Sequence, residues 1–219
     1  MNDHEYQNDT EVLDNREPMC VDKNEAEETS NRPELIVFTS DNSTSERINV
    51  FKTFTNGMFT DEFVQILTNM GYFTVPATIR QRGNYKGGLF DHSFLVAQIL
   101  SRLTIDNHLP WAINRSPVLI GLMHDICSCE DYKFDDHGSF IWNDDQLIDG
   151  HGDKSVMILS QFMTLSSEEM MCIRYHTGIE PDRCHNPAFQ DCYDKATKRF
   201  QMILWTQLAD RIATQTYNC

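Results

Sequence analysis

From residue 46 onward the apolar residues recur at intervals of three and four, the spacing of helices that bury one face. "SERINVFKTF" and "TDEFVQILTNMGYF" both carry it, the second with Thr60 placed as an N-cap and Gly71 as a stop. "TVPATIRQRGNYKGG" is rich in turn formers and reads as a loop holding Arg80, Arg82 and Lys86. "LFDHSFLVAQILSRL" is then a strongly apolar helix with His92 in its first turn. "SPVLIGLMHDIC" is another, opened by Ser116-Pro117 and closing on the pair His124-Asp125.

Between residues 130 and 150, "EDYKFDDHGSFIWNDDQLIDG" alternates charged and aromatic residues around Gly138 and reads as a short hairpin or excursion. Helicity resumes at "HGDKSVMILSQFM" and "LSSEEMMCIRYH", where Ser166 or Ser167 caps and two glutamates suit the first turn. "TGIEPDRCHNPAFQD" reads as a loop, and "KATKRFQMILWTQLADRIATQ" as one last helix. No internal repeat and no convincing sheet is present. The expectation is an all-α fold, a single helical bundle over residues 46–219.

The remaining residues, 1–45, hold 12 Asp/Glu against 3 Lys/Arg, a balance of −9 within a total of −15. Few apolar residues and no periodicity predict a disordered acidic tail. The chain has no apolar run long enough to span a bilayer and no basic-then-apolar start, so a cytoplasmic protein is expected, with no membrane partner. Seven cysteines, an odd number in scattered contexts, fit a reducing compartment. Cys127 and Cys129 form C-x-C without a second pair, so they read as small residues near a helix end. The acidic balance argues against a groove for long duplex nucleic acid. A small anionic substrate held by a local basic cluster stays open.

Successive helical segments place a metal-competent residue at or near an end: His92, His124-Asp125, His151 and His176. The last helix carries Asp210 inside the apolar run "ILWTQLADRIA". A buried carboxylate is costly there unless paired, hydrogen-bonded or bound to a metal. Each residue alone has an ordinary structural explanation: His92 as a satisfied core histidine, Asp210 as a partner of Arg211 or Arg80. Six together, in the order H…HD…H…H…D, point to a metal centre.

The blocks "GGLFDHS", "GLMHDIC", "GHGDKSV", "IRYHTG" and "LADRIAT" resemble those of the HD-domain superfamily of metal-dependent phosphohydrolases, including bacterial and phage members and the HD module of certain 3′–5′ exoribonucleases. The resemblance covers about residues 72 to 215; the tail and residues 130–150 lie outside it. It implies that His92, His124, Asp125 and Asp210 hold one metal, and that Asp125 bridges to a second held by His151 and His176. Such ligands suit divalent Mn, Fe, Zn or Mg. Family members with only the shorter H…HD…D set tend to use one metal on monophosphates, whereas the six-ligand set resembles two-metal members, many of them phosphodiesterases. Ser128 stands where the family often has a phosphate-contacting lysine, and Lys133 or Lys154 are the candidate substitutes.

The resemblance implies a metal-activated water attacking a phosphate ester of a nucleotide, a cyclic nucleotide or a short oligonucleotide. Arg80, Arg82 and Lys86 stand on a Gly-containing loop that can close over such a site. Lys154 shares a helix face with His151, three residues before it; Arg174, two residues before His176, is a weaker candidate. Asp125, Lys154, Arg80 and Arg82 are therefore the candidate catalytic residues. Tyr132, Trp142 and Trp205 offer faces on which a base can stack, although aromatic residues at these spacings more often serve the core. Two other readings stay open. Similar ligand sets bind two irons in a few HD-domain oxygenases, and Ser128 is consistent with a non-catalytic nucleotide-binding protein.

Overall fold

A computed structural model describes residues 33–79, 83–137, 139–148, 150–179 and 184–216. Everything below belongs to the unit Leu35–Cys219. The expected disorder of residues 1–32 falls outside the described residues. The architecture is all-α with one small hairpin: α1 (Thr44–Thr55), α2 (Asp61–Met70), α3 (Gly88–Asp106), α4 (Ser116–Met123), α5 (Ser128–Asp131), β1 (Tyr132–Phe134), β2 (Phe140–Trp142), α6 (His151–Leu159), α7 (Ser167–Arg174), α8 (Pro187–Arg199) and α9 (Met202–Thr216). No helix among the described residues is long and apolar enough to cross a membrane.

The helix ends follow local chemistry. Ser43 and Glu46 close a capping box at α1, and Ser166 and Glu169 another at α7. The Thr60 hydroxyl accepts from the Phe63 N–H at the start of α2, and Gly71 ends that helix at φ 88°. The 19-residue α3, about 28 Å long at 1.5 Å per residue, is buried along most of its length and packs chiefly on α4 and α9. Phe51, Tyr72, Phe73, Phe90 and Phe94 interlock around its first turns with ring centroids 5.1–6.4 Å apart.

Three sequence expectations need correction. The ordered body begins before residue 46. Ile36 exchanges two 2.9 Å hydrogen bonds with the Gln98 amide, and Phe38 is buried against Phe90 and Phe94. Within the apolar run Leu35–Phe38 it is Phe38 that supplies the burial, while Ile36 and Val37 stay exposed. Second, the segment expected as a loop holds the start of α8, capped by Asn186, whose side chain accepts from the Ala188 and Phe189 N–H groups, with Pro187 following.

Third, the expected last helix is two. Phe200 leaves the helical conformation at φ −127° and ψ 83°, separating α8 from α9. The partly buried residues of α8 (Phe189, Tyr193, Ala196) and the buried ones of α9 (Met202, Thr206, Ala209, Ala213) explain the break. At 3.6 residues per turn the two stripes would lie roughly 130° apart on a continuous helix. One straight helix cannot turn both to the same core.

Candidate metal centre

Two close helix approaches bring the polar residues together. A Cβ on Gly121 of α4 would lie 2.3 Å from Ala97 Cα of α3, and a Cβ on Gly152 of α6 would lie 2.2 Å from Arg174 O of α7. Only glycine permits these separations. The first contact sets His124, at the end of α4, beside His92 in the first turns of α3. The second sets His151, the first residue of α6, beside His176 just past α7.

His92 Nε2 lies 3.3 Å from His124 Nε2, 3.6 Å from Asp125 Oδ2 and 3.2 Å from Asp210 Oδ1. His124 Nε2 is 3.3 Å from Asp125 Oδ2. The other Asp125 oxygen faces His151 Nε2 at 2.7 Å and His176 Nε2 at 2.9 Å. The potential ligand atoms of His92, His124 and Asp125 thus fall within 4.8 Å of one another, as do those of Asp125, His151 and His176. Asp125 belongs to both groups, one oxygen turned to each. All six residues singled out in the sequence converge here.

The rings are held with their Nε2 atoms inward. His124 Nδ1 lies 2.9 Å from Gly121 O, and His176 Nδ1 lies 2.7 Å from Ile173 O. A carbonyl only accepts, so each Nδ1 carries the proton and each Nε2 is left to bind a second cation. His176 Nε2 is buried without a hydrogen-bond partner despite its nearness to Asp125. A nitrogen lone pair facing a carboxylate oxygen is repelled unless a proton or a metal ion lies between them. This donor set fits a divalent ion.

The charges agree. Burial disfavours the Asp125 carboxylate, yet His124 and His151 hold it well below the usual carboxylate range. Asp210 is likewise buried and is held low by its contact with His92. Burial opposes charge on His124 and His151, but the neighbouring Asp125 carboxylate raises both, His151 strongly. His92, His124 and His176 are almost fully enclosed. Side-chain exposures of 13% for Asp125, 18% for Asp210 and 33% for His151 carry the opening to solvent.

The basic candidates fare differently. Lys154 is buried, and its ammonium donates to Asp131 Oδ1 at 2.9 Å and Gln146 Oε1 at 3.0 Å, with Glu130 at 3.5 Å. It stands near His151, as its spacing predicts, but it is engaged by carboxylates rather than left free for a phosphate oxygen. Lys133 pairs with Asp145 at 3.0 Å on the exposed hairpin. Arg174 pairs with Asp153 at 2.8 Å and lies over the Tyr175 ring. Lys86 is exposed. Arg80 and Arg82 lie outside the described residues. Trp205 lines a different cavity, on α8 and α9.

Two contributions escape the sequence reading. Cys127, taken there as a small residue at a helix end, places Sγ 3.0 Å from His151 Nδ1, and Cys127, Asp131 and His151 form a third potential metal group. Its position three residues after His124 is the available signal. The other is Arg47. Its guanidinium grips Asp91, the neighbour of His92, through two 2.7 Å bonds in a fully buried pair. Neither residue stands out from spacing, because they lie 44 positions apart.

Comparisons with protein-family models, with curated proteins and with solved structures gave no match to this chain.

Proposed function

We propose that this protein is a metal-dependent phosphoester hydrolase acting on a small phosphorylated substrate through a metal-activated water. The observation that carries the reading is the shared carboxylate: Asp125 offers one oxygen to His92 and His124 and the other to His151 and His176. His92, His124, Asp125 and Asp210 would hold one divalent ion, and Asp125, His151 and His176 a second. Ions bound there supply an acidified water and polarise phosphoryl oxygens. The resemblance of the ligand-bearing blocks to HD-domain phosphohydrolases supports the same reading.

The chain's own groups do the positioning. The Gly121 and Ile173 carbonyls lock the His124 and His176 tautomers, so the binding nitrogens are presented without rearrangement. Burial of three of the four histidines keeps water from the floor of the centre and strengthens every charge interaction there. Asp210 and Asp125 carry the negative charge that retains cations while staying ionised. Lys154 braces Asp131 and Gln146 beside His151.

The test is metal analysis of aerobically and anaerobically purified protein, followed by Mn²⁺-supplemented turnover of bis-p-nitrophenyl phosphate and nucleotides. The His124→Ala and Asp125→Ala variants run alongside. Bound divalent metal approaching two per chain, with turnover lost in both variants, is the expected result. Two irons with an oxygen-sensitive absorption band and no phosphate turnover would assign the centre to dioxygen chemistry. Absence of metal from every preparation would overturn the reading.

A further inference from the structure

Beside His151 lies a cavity of about 230 Å³ lined by Asp131, Trp142, Gln146, Ile148 and Lys154 as well as His151 itself. Because His151 Nε2 faces Asp125 on its other side, the cavity shares a wall with the metal centre. Its lining comes largely from the 130–150 excursion. We propose that this cavity binds the nucleobase of the substrate; the assignment rests on the phosphoester reading only for what is attached to that base.

Three features select such a ligand. Charge comes first. Lys154 is 2% exposed, and its ammonium is balanced by Asp131 at 2.9 Å and Glu130 at 3.5 Å. With the ammonium answered by these carboxylates, no lysine charge is left over for a second phosphate, which favours a neutral, polar group. Second, Gln146 carries an unanswered donor. Its Oε1 accepts from Lys154 Nζ at 3.0 Å, an orientation the ammonium imposes because it can only donate. Gln146 Nε2 is thereby left buried without a partner. A buried N–H without an acceptor is costly, so an acceptor on the ligand gains accordingly.

Third, Trp142 offers a flat apolar face. It is 47% exposed and stands opposite Tyr132 in the hairpin register, with ring centroids 5.9 Å apart at 76°. That edge contact fixes the indole plane. Trp142 also borders a second cavity of about 280 Å³ with Thr78, Ile79 and Tyr132. The first cavity is smaller than the roughly 300–1,000 Å³ clefts that take whole drug-sized ligands, which suits a single heteroaromatic ring. A ring stacked on Trp142 and accepting from Gln146 satisfies all three features, and base–aromatic stacking is sequence-tolerant by nature.

Isothermal calorimetry on the full chain tests this with adenosine, cytidine, guanosine and uridine, and with free ribose as the base-free probe. Nucleosides lack phosphate, so their binding does not depend on whether the protein hydrolyses phosphoesters. At least one nucleoside is expected to bind while ribose does not. Trp142→Ala should weaken that binding roughly five- to hundredfold. Gln146→Leu, which keeps shape but removes the donor, should weaken it several-fold, with thermal melts confirming that both variants fold. Absence of nucleoside binding to the unsubstituted protein, ribose binding as well as nucleosides, or unchanged affinity in both variants would each overturn the proposal.

Discussion

His124 and His176 each sit just past the end of an eight-residue helix, and each returns its Nδ1–H to a carbonyl three residues back. The last turn of any helix leaves carbonyls without helical partners. At α4 all are answered: Ile120 O by the His124 N–H, Gly121 O by the His124 ring, Leu122 O by the buried Tyr72 hydroxyl and Met123 O by the Ile126 N–H. One local device therefore completes the helix and fixes the tautomer. His151 enters at the start of a helix, where no such carbonyl exists, and Cys127 Sγ faces its Nδ1 instead. Cys127→Ala should lower metal affinity about 10–100-fold, the usual cost of losing a group that orients a ligand, and Cys127→Ser should recover part of it; competition with a fluorescent chelator measures both. A second residue-scale prediction concerns Arg47 and Asp91. Asp91→Ala leaves a buried guanidinium unpaired and should cost about 3–5 kcal/mol in urea melts, whereas Arg47→Met with Asp91→Leu should recover much of that loss.

Among the elements, the helix approaches at Gly121 and Gly152 determine where the ligands meet. Gly121→Ala forces α3 and α4 apart against Ala97 backbone, and Gly152→Ala forces α6 from the Arg174 carbonyl. Each should destabilise by about 1–3 kcal/mol, the range for overpacking, and each should also weaken Mn²⁺ binding, because the displaced helix carries a ligand. A thermal melt with and without Mn²⁺ checks both effects, and an unchanged metal-induced rise in Tm would show that the approaches do not set the centre. Much at this scale was legible in the sequence. Thr60, Gly71 and Ser166 mark real helix ends because capping is a contact within one turn. Five of the six metal-competent residues were legible because they stand at or near helix ends, where such side chains escape apolar faces, and Asp210 because a carboxylate inside an apolar helical run needs a partner. The α8–α9 break was not, since no Gly or Pro marks it and only the phase of the apolar stripe changes at Phe200. Nor was the pairing of Lys154 with Asp131, because spacing shows which face a lysine shares, not which carboxylate the fold brings to it.

Across the molecule, α4 and α7 run side by side in the same direction. Their C-terminal ends deliver His124 and His176 to the centre, and their N-terminal ends are tied by Glu169. Both C-terminal ends carry partial negative charge that favours a cation, while α6, entering by its N-terminal end at His151, works against it. The tie at the far end is a fully buried carboxylate that accepts from Arg115 Nε at 3.2 Å, Ser116 Oγ at 3.1 Å and the Ser166 N–H at 2.8 Å. Burial alone would raise its pKa, but Arg115 and these hydrogen bonds leave it below the ordinary value of 4.5. The unfolded chain then takes up this proton more readily than the folded one. The stability contributed by Glu169 is therefore present above pH 4.5 and is lost as the pH falls below it, through the lower pKa of the folded state. Glu169→Gln keeps the size of the side chain but removes the charge, and should cost about 1–3 kcal/mol near neutrality. The gap between the two proteins in urea denaturation should then narrow as the pH is lowered below that ordinary value, because acid imposes on the unsubstituted protein the neutral state that the variant already has. A gap that stays constant through that range would mean that the charge on Glu169 is not what joins the two helices, and that its hydrogen bonds alone hold their N-terminal ends together.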